Sequence, residues 1–255
     1  MPRADFVHLH NHSQYSLLDG ATRIPAMVER AVAYKMPALA LTDHGNLYGA
    51  IEFYTTCRAA GIVPIVGCET YVAPRGLTHK EPVPGAPDGG YHLVLLAKNI
   101  TGYKNLVKLV SIASLEGFYH RPRIDFELLR DHAEGLIATS ACVQGELGQK
   151  LLQGRGDDAE EVVRRYLDLF GPDHYFLEIQ NHGIDVEDQI RPQIIALARK
   201  LGVELVATND CHYLEQSHAR AHDALLCIQT GRFLSDENRM RYNTDQIYFK
   251  SVDEM

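Results

Sequence analysis

Nine side chains able to bind a divalent cation lie almost entirely where apolar, strand-like runs of this chain stop: His10, His12, Asp19, His44, Glu69, His92, Cys142, Asp210 and His212. Imidazoles, carboxylates and one thiol gathered at strand ends point to a multinuclear metal site. Such sites activate water and hold phosphate esters. His8, His10 and His12 alternate along Phe-Val-His-Leu-His-Asn-His, so on a strand they project to one face. Residues two apart on a strand stand roughly 6.6–6.8 Å apart, and a ring nitrogen sits ~2.0–2.1 Å from zinc. Two neighbours can therefore share an ion, whereas three in a row are too widely spread. The spacing leaves open which two.

The other donors read one by one. Thr42-Asp43-His44-Gly45 follows Ala-Leu-Ala-Leu; the glycine permits a tight turn, and Asp43 is placed to orient a ligand histidine. Glu69 ends Ile-Val-Pro-Ile-Val-Gly-Cys and has two oxygens with which to bridge two ions. Alternation puts Asp210 and His212 on one face, with Cys211 turned away, as Cys68 is beside Glu69. Cys142 follows Leu-Ile-Ala-Thr-Ser-Ala, again at a run's end, but His92 precedes its run and is not marked as a ligand by spacing. Glu178, with Gln180, Asn181 and His182, reads as a substrate contact or as rim. His79, His120, His132, His174, His218 and His222 lie in loops or helical segments and are expected to be bystanders.

Seven apolar runs must position these donors: Phe6–Leu9, Ala38–Leu41, Ile62–Val66, Leu93–Ala97, Leu136–Ala138, Tyr175–Ile179 and Glu204–Ala207. Continuous apolar runs suit strands covered on both faces, as in parallel sheets flanked by helices. Helices are readable between them. Val163, Tyr166, Leu167 and Phe170 keep helical spacing until Gly171-Pro172. Ile190, Ile194, Leu197, Ala198 and Leu201 form a second stripe, with Asp185 as expected N-cap and Gly202 as stop. The α/β class follows, with a TIM-like (β/α) barrel expected and an open doubly wound sheet as its rival. In a barrel the C-terminal strand ends carry the site. Residues 74–90, with four prolines and four glycines, form one long surface excursion, a lid or a plain loop. Ser251 and Glu254 have capping-box spacing but only Met255 follows, so residues 1–255 are expected to be one domain of a longer chain.

Composition agrees with a globular domain: 255 residues, 45% apolar and 23% charged. No run approaches the ~18 apolar residues of a membrane span, and the start lacks a signal-peptide pattern, so no membrane partner and a cytoplasmic location are expected. Five cysteines without a C-x-x-C pair speak against a disulfide framework. A formal charge of −8 is wrong for a surface that binds DNA by counterion release. Any nucleic-acid contact would have to run through bound cations or another domain.

His10-x-His12-Ser13, Thr42-Asp43-His44-Gly45, Glu69, His92, Cys142 and Asn209-Asp210-x-His212 resemble the motifs of the polymerase-and-histidinol-phosphatase (PHP) superfamily. The wider text HSQYSLLDG, PALALTDHGNLYGAIEFY, TGYKNLVKLVS, EGFYHRPRID and VATNDCHY is similar to the PHP domains at the N-terminus of bacterial replicative DNA polymerase III alpha subunits. The resemblance covers nearly the whole chain. It implies a distorted seven-stranded (β/α) barrel and three metal ions. His10, His12, Glu69 and Asp210 would hold one ion. Glu69 would bridge to a second on His92 and Cys142, and Asp19, His44 and His212 would hold the third. It thereby selects His10 and His12 over His8 and restores His92. As partners it implies the rest of a polymerase chain, a sliding clamp and a separate proofreading subunit.

The expected activity is a 3′→5′ exonuclease acting on a single-stranded or frayed DNA 3′ end, with His12, Glu69 and Asp210 central to catalysis. Thiolate and imidazole donors favour zinc over magnesium, and mixed N/O/S ligation also admits manganese or iron. The fragment is not expected to polymerise DNA. The alternatives are a catalytically silent metal-braced scaffold and a small-molecule phosphatase of the histidinol-phosphate type.

Overall fold

The computed structural model describes residues 3–255. Its strands are β1 (Ala38–Leu41), β2 (Val63–Val72), β3 (Tyr91–Ala97), β4 (Arg123–Ile124), β5 (Leu136–Thr139), β6 (Tyr175–Ile179) and β7 (Leu205–Ala207). The helices are α1 (Ile24–Ala33), α2 (Ala50–Ala59), α3 (Ile100–Leu115), α4 (Phe126–Asp131), α5 (Glu146–Leu152), α6 (Gly156–Phe170), α7 (Asp185–Leu201) and α8 (Ala219–Thr230). The strands line up in the order β1-β2-β3-β5-β6-β7, with β4 attached to the end of β2. Leu93 and Leu95 of β3, Leu106 and Leu109 of α3, Val163 and Tyr166 of α6 and Ile190 of α7 share one buried core. Ile24, Met27, Phe53 and Phe249 anchor a second core.

The expected all-parallel arrangement needs one correction. β3 runs antiparallel to both β2 and β5, while the pairs β1–β2, β5–β6 and β6–β7 are parallel. β2 changes partners along its length, pairing β1 through Val66 and β3 from Gly67 onward. At that switch a Cβ on Gly67 would stand 2.7 Å from the Leu95 carbonyl oxygen and 2.6 Å from a Leu96 methyl, so the close backbone approach requires glycine.

Phe6–Leu9, expected as a strand, is not one. Residues 8–12 nevertheless close the ring as an extended seam between β1 and the segment beyond β7. On one side the amides of Ala40 and Thr42 donate to the carbonyls of His8 and Asn11, each at 3.0 Å. On the other, His12 N donates to Cys211 O at 2.8 Å and Cys211 N to His10 O at 3.2 Å. The result is a distorted TIM-like (β/α) barrel whose seventh member is irregular. The fully buried Asn11 locks the seam, its amide donating to the carbonyls of Ala40 (2.9 Å) and His8 (3.2 Å).

The helix stripes fall as expected on α6 and α7. Gly202 ends α7 in the left-handed region at φ 69°, but Asp185 is its first helical residue and not its N-cap, which is Ile184. Asp185 still favours that helix start, because acidic side chains complement the positive end of the helix dipole. Ser251 and Glu254 do pair, since the Glu254 carboxylate accepts from both Ser251 N and Oγ at 2.7 Å.

Asn11→Ala removes two buried donors from the seam. It should lower stability by about 1–3 kcal/mol, read as a shift of the urea midpoint at constant slope; an unmoved midpoint would show that the side chain does not hold the barrel shut.

Candidate metal centre

The reversed strand accounts for His92. In an antiparallel pair the start of β3 lies beside the end of β2, and Tyr71 is opposite His92. His92 therefore reaches the same end of the barrel as donors that follow parallel strands. The structure brings all nine sequence-predicted residues together there.

Glu69 sits at the centre, fully buried. Its Oε1 is 2.7 Å from His92 Nδ1 and 3.4 Å from His10 Nε2. Its Oε2 is 2.7 Å from His44 Nδ1 and 3.5 Å from His12 Nε2. One carboxylate thus faces two separate pairs of imidazoles. Asp210 Oδ1 lies 3.0 Å from His12 Nε2 and 3.3 Å from His10 Nε2. Asp19 places Oδ2 3.2 Å from His44 Nε2 and Oδ1 3.8 Å from His212 Nε2. Cys142 Sγ is 3.6 Å from His92 Nδ1 and 4.0 Å from Glu69 Oε1. Three sets of donor atoms are compact enough to share an ion: His12, His44 and His212; His10, His12 and Glu69; Glu69, His92 and Cys142.

Whether these residues suit cations is answered by their unmet polar atoms. Buried polar atoms are normally hydrogen-bonded, and each one left unpaired costs about 1–3 kcal/mol. Among the described residues twelve buried side-chain N or O atoms lack a hydrogen-bond partner. Seven belong to this one cluster: His10 Nε2, His12 Nε2, Asp19 Oδ1, His44 Nδ1, Glu69 Oε2, Asp210 Oδ1 and His212 Nε2. Imidazoles and carboxylates facing one another at 2.7–3.8 Å without hydrogen-bond alignment are the arrangement divalent cations satisfy. The donor set fits.

A surrounding layer fixes which nitrogen faces inward. Glu178 accepts from His10 Nδ1 at 2.7 Å, leaving Nε2 for the cluster, and is itself held by the hydroxyls of Thr139 and Thr208. It is buried, so its earlier reading as rim or substrate contact is corrected to an orienting carboxylate. Ser16 Oγ donates to Asp43 Oδ1 at 2.8 Å and can then accept from His12 Nδ1 at 2.9 Å. Asp43 thus orients His12 through Ser16 and not by direct contact, and it also accepts from Ser13 N (2.6 Å) and Oγ (2.8 Å). His212 Nδ1 donates to the Asp210 carbonyl at 2.8 Å. His222 is no bystander: it is buried, and its Nε2 donates to the Asp19 carbonyl at 2.7 Å. His8 stays apart, its Nε2 on the Lys250 carbonyl at 2.8 Å and its ring against Phe249. Cys68 and Cys211 point away, onto the carbonyls of Asp43 and Tyr248, each at 3.3 Å.

The electrostatics are those of a charged cluster removed from water. Burial alone would raise the Glu69 carboxyl, but His92, His10 and His44 hold it well below its ordinary value. Asp19 is likewise lifted by burial and pulled well below by His212, His222 and His44. Burial lowers His10, yet Asp210, Glu178 and Glu69 raise it well above its usual value. His12 is pushed down to about 3 by burial and by the neighbouring His44 and His212. Burial, with the charges of Glu69 and Asp210, keeps the Cys142 thiol well above its ordinary value. A thiolate there requires a cation. Two backbones turn sharply to aim donors: Asp210 at φ 41° and Ala141, just before Cys142, at φ 57°. Aspartate tolerates that left-handed region better than most residues.

A cleft of about 310 Å³ opens on the cluster, walled by Tyr71, Arg121, His182 and Tyr242. Pro87, Gly89 and Gly90 of the 74–90 excursion form part of its rim, so this loop borders the site.

Comparison with known proteins adds the lineage. The PHP domain family matches residues 8–182. The chain belongs to the PHP domain family. This PHP domain is 52% identical over 256 residues to the DNA polymerase III subunit alpha of Treponema pallidum, covering all of this chain and 22% of that protein. It is 48% identical over 252 residues to the corresponding subunit of Thermus aquaticus, covering 98% of the chain and 21% of that protein. The chain thus spans about a fifth of the length of the curated relatives it matches. Among solved structures, a Bifidobacterium adolescentis protein described as a metal-dependent phosphoesterase has a similar fold, with a TM-score of 0.54 and 14% identity over 83% of this chain and 89% of that one.

Two predictions follow from the centre's design. Glu178→Gln keeps the shape but weakens the grip on His10, and metal affinity should fall roughly 10–100-fold, measured by competition with a chromophoric chelator. His10 and Cys142 hold protons more firmly than ordinary histidine and cysteine, so cation uptake must release them. Affinity should therefore rise with pH across neutrality, with proton release visible calorimetrically in buffers of different ionisation enthalpy; pH-independent uptake would contradict the geometry.

Proposed function

We propose that this PHP domain is a metal-dependent phosphodiesterase working as a 3′→5′ exonuclease that proofreads for a replicative polymerase. The observation that carries it is the convergence of seven unpaired, buried donor atoms from distant parts of the chain beneath an open cleft. His10, His12, Glu69 and Asp210 would hold one ion, Glu69, His92 and Cys142 a second, and Asp19, His44 and His212 a third. Zinc suits the imidazoles and thiolate best; manganese and iron are the other metals this donor set accepts.

When bound, such cations lower the pKa of water from 15.7 towards ~7 and offset the charge of a phosphodiester. The chain's residues do the rest. Glu69, with its two oxygens aimed at different imidazole pairs, would serve two ions at once. His12 and Asp210 would hold the ion that Glu69 shares, and Ser16 with Asp43 keeps His12 in the tautomer that presents Nε2. The cleft leaves room for a substrate, whereas a purely structural site is closed by protein atoms. That openness favours catalysis over a scaffold role.

The matched relatives are DNA polymerase III alpha subunits, which supports a place within a polymerase chain; the DNA 3′ end, a sliding clamp and a proofreading subunit as partners, and a cytoplasmic location, belong to the same proposal. No helix among the described residues is long and apolar enough to cross a membrane.

The test is degradation of 5′-labelled single-stranded DNA by the purified domain, loaded with zinc, manganese or iron. Activity should appear with metal and vanish with chelator. His12→Ala and Asp210→Ala should each lower turnover more than about 100-fold without loss of the far-UV dichroism of the fold. Chelator-resistant activity, or none with any metal, would defeat the reading, and preference for a phosphomonoester over a 3′-terminal dinucleotide would favour a small-molecule phosphatase.

A further inference from the structure

Beyond α8 the chain crosses the mouth of the cleft as a strap, residues 231–244, tied down at two points. Both terminal nitrogens of the Arg239 guanidinium donate to Asp223, Nη1 to Oδ1 at 2.5 Å and Nη2 to Oδ2 at 2.6 Å, a planar fork on a carboxylate. Thr244 Oγ1 donates to the His182 carbonyl at 2.7 Å. Between these ties Tyr242 packs its ring against His212 and His222, each centroid 5.5 Å away, and lines the cleft together with Asp19, Cys142 and Asp210. Tyr15 and Tyr248 donate their hydroxyls to Glu52 and Glu254, and the Tyr34 oxygen accepts from Arg30. The Tyr242 hydroxyl, on a residue 37% exposed, has no hydrogen-bond partner among the described residues, as is also true of Tyr71 in the same cleft.

We propose that Tyr242 is a substrate-contacting residue, whose phenol donates a hydrogen bond to a non-bridging oxygen of a phosphate ester held in the cleft. The inference rests on the phosphoesterase reading of the site and adds to it a residue outside the nine donors. The chemistry suits the place. A phosphate ester entering here passes carboxylates that repel it, so a hydrogen-bond donor near them is useful. A lysine ammonium in the same position would pair with Asp19 or Asp210 and compete with the cations those groups serve. A neutral hydroxyl does neither. The rings of His212 and His222 brace Tyr242 from behind, and the two ties keep the strap from swinging away, so the donor is pre-positioned and little ordering is needed on binding. Arg121, stacked over the Tyr71 ring at 5.8 Å, also lines the cleft and supplies positive charge there.

The test uses Tyr242→Phe, which keeps the ring contacts and deletes the hydroxyl. Metal content is measured by elemental analysis, inorganic phosphate binding to the manganese-loaded protein by calorimetry, and kcat/KM on a phosphodiester in parallel. Phosphate affinity and kcat/KM should both fall about 10-fold or more, with metal content unchanged. Equal phosphate affinity in the two proteins overturns the proposal, as does a loss of metal that tracks the loss of affinity, or a wild-type protein that binds no phosphate. If the wild type binds phosphate yet cleaves no ester, the phosphoesterase reading fails alone, and the Tyr-to-Phe difference in phosphate affinity still decides the role of Tyr242.

Discussion

The site depends on a seam. Residues 8–12 pair with β1 on one side and with the segment after β7 on the other, and these two rows of backbone hydrogen bonds turn a curled sheet into a closed barrel. The same hydrogen bonds carry His10 and His12 to Asp210 and, through Thr42, to the turn bearing His44. Closure and site assembly are therefore one event. A seam that opened would separate donors from the two ends of the sheet while leaving each strand pair intact. The irregularity of this stretch is part of the arrangement, since a regular strand would present His8 on the same face as its two neighbours.

The closed ring encloses an electrostatic problem. Glu69, His10 and His12 are fully buried, and burying charge is costly unless it is paired. The cluster pairs carboxylates with imidazoles but cannot satisfy every lone pair, because nine donors crowd a space with few acidic protons to share. The ordinary remedy, replacing polar residues by apolar ones, has been applied around the cluster, in the Leu- and Val-rich cores, and not within it. Folding energy from those cores holds a group of side chains in an arrangement they would not choose alone. Concentrated unmet bonding at one end of a barrel is how a protein stores affinity for cations.

Much of this could be read from the residue order, and the failures are instructive. Donors after parallel strands were legible because a run's end marks the barrel's upper rim. His92 was not, since spacing does not reveal that β3 runs backwards; only the resemblance recovered it. Glu178 sits inside Tyr-Phe-Leu-Glu-Ile, and a carboxylate within an apolar run signals a buried partner, a clue that was available and read as rim. His222 left no clue: it lies on a helix far along the chain and meets Asp19 only through tertiary packing. Asp43 was correctly singled out, but its action through Ser16 needed three dimensions, because a hydroxyl that both donates and accepts has no sequence signature. Phe6–Leu9 looked like a strand since alternation is the same for a regular strand and an extended seam.

The backward course of β3 also shapes how such a domain can change. In an ordinary βα repeat the chain leaves the upper rim by entering a helix, so altering that connection disturbs the packing of the outer layer. Here β2 turns directly into β3 through residues 73–90, with neither helix nor strand between them and with both ends anchored by neighbouring strands. The scaffold holds that stretch at a few points, Leu77 N on Asp125, the His79 carbonyl on Arg123 and the Gly85 carbonyl on Gln153, and between such ties lengthening a surface loop costs little. The aperture over the donor cluster can thus be widened, narrowed or re-lined by insertion and deletion, while the inner frame of side chains stays where the barrel puts it.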